Sequence, residues 1–188
     1  MKRVIVLILS FMHLLGFSQV NRDDVISQFR DYKKMIAQQN FEEALDKYTP
    51  ENVFSFISKE KLIKSMKERL SNPQIKVDIY EPTDIHLRDQ SIKVDETDYI
   101  IFSFTQYVGM TFKDKSIDLK SMIPVFETKI GKGNVTYDEK LDCIKLKSNR
   151  DMVASSKDGK NWKFIMVYQS PHLRKVLPKE VLNQLNLK

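Results

Sequence analysis

Few side chains in this sequence are of a type and spacing that could do chemistry. Asp84 and His86 are separated by one residue; on a strand, positions i and i+2 share a face, so a carboxylate there could orient an imidazole for general-base work. Pro82 and Thr83 precede the pair and suggest a bend or an edge, where an exposed Asp and His need no function. His172 lies between Pro171 and Leu173 and reads as surface or packing. The lone Cys143 sits in the strand-like stretch Leu141 to Leu146, and no spacing links it to either histidine. No H-x-x-x-H or C-x-x-C spacing occurs, so no metal site is expected. Glycine is scarce at five residues and forms no phosphate-cradling loop, so no nucleotide or other cofactor is expected. No residue is assigned a catalytic role.

Binding is better supported than catalysis. Phe102, Phe104 and Gln106 alternate along one strand face, and Trp162, Phe164 and Met166 along another. Such an aromatic surface packs a core in most folds. The alternative is that Phe102, Phe104, Trp162 and Phe164 line an apolar pocket in which Gln106 orients a small ligand.

The elements that must position these residues begin after the N-terminal segment. Lys2 and Arg3 precede an apolar run, Val4 to Leu15, followed by Gly16-Phe17-Ser18. A run this short fits a signal-peptide core and falls below the roughly twenty residues a membrane span requires. A secretory signal peptide over 1–18 is therefore expected, with cleavage before Gln19, no retained membrane anchor and a periplasmic or extracellular destination. The absence of cysteine near that point excludes a lipid tether, and one thiol cannot form an internal disulfide. Residues 19–188 are long enough for one domain and short for two. The formal charge of +6 falls to about +4 without Lys2 and Arg3, a mild excess that does not point to nucleic acid. The local run Lys59, Lys61, Lys64, Lys67 and Arg69 reads as a solvated helix face.

Helical patterning comes first. Val25, Phe29, Tyr32 and Ile36 mark one face of a helix capped by Asn21 and ending near Gln39. Phe41, Ala44, Leu45 and Tyr48 mark a second helix opening at Asn40, and Leu62, Ile63, Met66 and Leu70 a third, capped by Ser58 and stopped by Asn72-Pro73. Between them, Asn52 to Ile57 reads as a short strand or extended link. From Ile75 onward the period becomes two. Strands are expected at Ile75 to Ile79, around Ile85 and Leu87, at Ile92 to Val94, and over the long run Tyr99 to Phe112. A helix starting near Ser121 would carry Pro124 in its first turn and end at Gly131 and Gly133. Strands follow at Val135 to Tyr137, Leu141 to Leu146 and Met152 to Ser155. The last pairs with Trp162 to Tyr168 across an Asp158-Gly159 turn. Pro178 opens a short terminal helix.

This is an α+β order: N-terminal helices on a long, curved antiparallel sheet. Phe29, Tyr32, Phe41, Ala44, Leu45 and Tyr48 resemble the opening helix pair of the NTF2-like, or SnoaL-like, superfamily. The segment Phe54-Ser55-Phe56 and the helix from Ser58 to Leu70 resemble its next elements. Trp162-Lys163-Phe164-Ile165-Met166 and Leu177-Pro178-Lys179-Glu180-Val181-Leu182 resemble the ending of exported bacterial members without assigned activity. The resemblance implies a cone-shaped fold with a pocket between sheet and helices. It does not imply one activity, because the fold hosts enzymes, assembly domains and binding modules. Three functions follow. The first is a non-catalytic domain that binds an apolar small molecule or a protein. The second is an assembly domain forming a homodimer through a sheet face bearing Tyr99, Ile101 and Tyr107. The third is a small-molecule enzyme using Asp84 and His86.

Overall fold

The computed structural model describes residues 21–168 and 172–185, so the expected signal peptide lies outside the described residues. Helix α1 (Arg22–Ala37) starts where Asn21 accepts a hydrogen bond from the Asp23 amide, with Asp23 and Asp24 in its first turn and Lys34 in its last. These charges oppose the helix dipole at each end. Gln39 follows in a left-handed conformation, φ 62°. Helix α2 (Phe41–Tyr48) buries Phe41, Ala44, Leu45 and Tyr48; Asn40 stands at its cap, but its side chain makes no capping bond.

The expected strand at Asn52 to Ile57 is instead a 3-10 turn, Glu51–Ser55. Its hydrogen bonds are local: the Val53 amide donates to Pro50 O, and the Ser55 hydroxyl to Asn52 O. Aromatic and β-branched residues make a strand only where a sheet edge accepts them, and none does here. Helix α3 (Lys59–Leu70) is capped by Ser58 and lays Ile63, Met66 and Leu70 against Ile36, Phe41 and Ala44. Lys61, Lys64, Lys67 and Arg69 are exposed on its outer face, as expected, whereas Lys59 is half-buried and pairs with Glu42 and Asp46.

The sheet has seven antiparallel strands built on two long ones, β4 (Thr97–Phe112) and β6 (Cys143–Ser156), which pair from Asp98↔Ser156 to Met110↔Ile144. Three short strands share the other edge of β4: β1 (Ile75–Ile79), β2 (Thr83–Leu87) and β3 (Ile92–Val94). On the far side of β6, β5 (Val135–Asp138) and β7 (Lys163–Val167) pair with opposite halves. The two strands expected at Leu141 to Leu146 and Met152 to Ser155 are thus one. Polar Ser148-Asn149-Arg150-Asp151 looks like a break, yet β4 continues to pair with it. The expected hairpin is present: Gly159 adopts φ 69°, and the Asp158 carboxylate accepts from the Lys160 and Asn161 amides, closing the turn between β6 and β7.

Alternation along β4 divides the sheet into two faces. On one, Ile101, Val153 and Ile165 are covered by α5 (Leu173–Val176) and α6 (Lys179–Gln184), through Leu173, Leu177 and Val181. Ile101, expected on an exposed dimerisation patch, is only 2% exposed, and Tyr99 is half-buried beside it. The chain's own C-terminal helices occupy that part of the surface, while Tyr107, half-buried, lies outside the cluster they form.

The other face carries the even-numbered residues of β4 and is covered in two places. Helix α1 covers Ile100, Phe102 and Phe104; α4 (Leu119–Ile130) covers Met110 and Phe112. Helix α4 begins earlier than expected because Asp118 accepts the Lys120 amide as its cap, which leaves Pro124 inside the helix rather than in its first turn. Proline there forfeits a helical N–H bond. Gly131, φ 103°, ends the helix as expected.

Candidate functional site

Four of the five candidate binding residues converge in one cluster. Phe102, Phe104, Trp162 and Phe164 are each at most 3% exposed, and Phe29 of α1 fills the space among three of them. Its ring centroid lies 4.9 Å from Phe102, 4.8 Å from Phe104 and 5.5 Å from Phe164, all edge to face. Tyr32 and Tyr48 close over Phe164 from the helix side, each with ring centroids 5.8 Å from it. Edge-to-face rings at these distances are in contact, so these four side chains act as the core of the domain. The Trp162 ring is buried among them with no partner for its Nε1–H.

Gln106 differs. It follows Phe104 on the same face of β4 and is 7% exposed. Its Nε2 donates to Tyr80 O at 2.7 Å and to Tyr107 O at 3.0 Å, which holds the amide in one orientation. Its Oε1 is buried without a hydrogen-bond partner. A buried acceptor left unsatisfied costs about 1–3 kcal/mol, so it marks a place where a donor would be stabilising.

Gln106 marks a polar gap between two apolar clusters on this face of the sheet. The cluster under α1 reaches Phe104 and Met152, and the cluster under α4 takes in Met110, Ile144 and Leu146. Between them on the same face lie Gln106 and Val108 of β4 and, paired with Gln106 and Phe104 across the strands, Ser148 and Arg150 of β6. Val108 and Ser148 are half-buried, and Arg150 is exposed.

Lys33 of α1 borders this gap. It falls four residues after Phe29, which lies four after Val25, so it occupies the core-facing stripe one turn beyond the aromatic cluster. It is 9% exposed. Its ammonium lies 5.6 Å from the centroid of the Phe104 ring, a cation–π contact that compensates only part of its lost hydration. Burial, and secondarily the Arg150 charge, lower its pKa to about 8. Among the described residues no carboxylate pairs with it.

The remaining titratable candidates do not assemble. Asp84 adopts φ 49°, and the pairing of β2 with β4 shifts register between Thr83 and His86. This irregularity breaks the alternation on which a shared face depends. Asp84 and His86 are both exposed, and the Asp84 carboxylate accepts from its neighbour, the Thr83 hydroxyl, at 3.2 Å. His172 is exposed, with its ring 6.2 Å from that of Phe56. Cys143 is a buried strand residue, 2% exposed.

Two grooves open elsewhere. One of about 590 Å³ runs between the 3-10 turn and the β6–β7 turn, lined by Asn52, Tyr99, Ser156 and Lys163. The other, about 830 Å³, lies along β1 and the ends of α1 and α3. Neither is lined by Gln106 or the four aromatics. Among the described residues no helix is long and apolar enough to cross a membrane. In comparisons with known proteins, no family model and no curated protein matches the chain.

Proposed function

We propose that this chain is an exported, non-catalytic binding domain of the NTF2-like type, acting in the periplasm or outside the cell, with its ligand seated in the gap around Gln106. The observation that carries this reading is the half-satisfied Gln106 amide. Its N–H groups are tied to Tyr80 O and Tyr107 O, while its oxygen is buried and unpaired between the two apolar clusters. A ligand donor would satisfy that oxygen, and Val108 and Leu146 supply apolar contact beside it. The filled aromatic core moves the binding surface away from Phe102, Phe104, Trp162 and Phe164, which support it from below. The separated Asp84 and His86 favour binding over catalysis.

Amide chemical-shift mapping with a panel of apolar small molecules tests the reading. Shifts centred on Gln106, Val108 and Ser148 are expected. Shifts confined to the grooves of the other regions, or none from any compound, would overturn it.

A further inference from the structure

Lys33 and Arg150 are not used by the reading above, yet they flank the same gap. Arg150 lies directly across from Phe104 in the β4–β6 register, and the Lys33 ammonium approaches that ring from α1. Gln106 stands roughly 6–7 Å further along β4 on the same face. Two cations and an unpaired carbonyl oxygen therefore lie along one face of the β4–β6 pair, beside Val108 and Leu146.

This arrangement is costly when empty. A buried ammonium without a counter-ion has lost hydration without regaining it, and a second cation nearby adds repulsion. Among the described residues no acidic side chain relieves it: the ion pairs of α1 and its neighbours, Lys47 with Asp31 and Arg30 with Glu81, leave Lys33 out. An anion in the gap would offset the Lys33 desolvation and the repulsion from Arg150 together. The Gln106 oxygen asks for the opposite, a hydrogen-bond donor.

Resting on the proposed binding function, we infer that the ligand is a small amphiphilic organic acid. Its carboxylate sits between Lys33 and Arg150, a hydroxyl or N–H group donates to Gln106 Oε1, and its apolar portion lies against Val108 and Leu146. A carboxylate suits this site because its single charge matches a setting in which one cation is buried and the other exposed. A dianion would require a second desolvated charge to be balanced at the apolar end.

The test uses mandelate, phenylacetate and their uncharged amides with the protein lacking residues 1–18, followed by chemical shifts and titration calorimetry. Mandelate is expected to bind tightest, phenylacetate about tenfold more weakly for want of the hydroxyl, and the amides more weakly still. Lys33→Met, which places an apolar chain in an already buried position, should remove the preference for acid over amide. Gln106→Leu should remove only the preference for mandelate over phenylacetate. Amides binding at Gln106 as tightly as the acids, with Lys33→Met unchanged, would overturn the inference and leave the proposed function standing. Absence of binding near Gln106 by every compound would overturn both. Binding of the acids that persists undiminished in Lys33→Met and Arg150→Gln would also overturn the inference.

Discussion

Phe104 and Gln106 occupy neighbouring positions on one face of one strand, yet the molecule treats the two halves of that face differently. From Ile100 to Phe104 the face lies beneath α1 and is filled by rings from four elements. At Gln106 the apolar series is interrupted before the α4 cluster takes it up again at Met110. The first half stabilises the domain by burying apolar surface, with each large ring worth several kcal/mol. The second half contains a buried lysine without a counter-ion and an acceptor without a donor. Those are expenses that a purely structural surface does not need. That contrast underlies the proposal of stability for the one and binding for the other.

The largest test of that contrast is truncation on each side of it. Phe29→Ala removes the ring that touches Phe102, Phe104 and Phe164, and should cost about 3–5 kcal/mol in urea unfolding. Val108→Ala, at the half-buried gap, should cost about 1 kcal/mol or less. Equal losses would show that the gap is packed as tightly as the core.

A smaller effect comes from Lys33. Its pKa falls to about 8 in the fold from 10.5. Between these values the unfolded chain binds more protons than the folded one, so stability must rise with pH across that window. It should be nearly flat below about pH 7 and rise by on the order of 2 kcal/mol between about pH 7 and pH 9.5. Tyr32, pushed up to about 12 by burial, stays neutral over that range. Denaturation midpoints at the two pH values measure the rise, and the rise should vanish in Lys33→Met. A rise that survives the substitution would place its source elsewhere.

The smallest expected effect belongs to the exposed edge. Replacing Asp84 and His86 together by alanine should change stability by no more than about 0.5 kcal/mol and leave mandelate affinity unaltered. A loss of ligand binding on that double replacement would move the site to β2 and dissolve the distinction between the two halves.

Much of the fold was legible in the residues. Helix α1 could be read from Asn21 and the spacing of Val25, Phe29 and Ile36, and β4 from alternation over Tyr99 to Phe112. Errors arose where a local pattern met a tertiary partner. Phe54 and Ile57 have strand character, but no sheet edge was available to them. Ser148 to Asp151 look like a loop, but the long β4 held them in register. The candidate site was legible only in Gln106, which stands out as one polar residue in an apolar series. Lys33 shares the period of Val25 and Phe29, so its spacing carried the signal. Its charge hid it, because a lysine on a helix is normally assigned to the solvated side.

By itself, then, the sequence determined the α+β order, the turn at Asp158-Gly159 and which strand faces are apolar, because each depends on short-range periodicity and local backbone preference. Only the tertiary structure decided which helix covers which stretch of an apolar face. That depends on where helices α1 and α4 land along β4. Their placement results from packing between residues far apart in the chain, and the same packing brings Lys33, Gln106 and Arg150 to one face of the sheet.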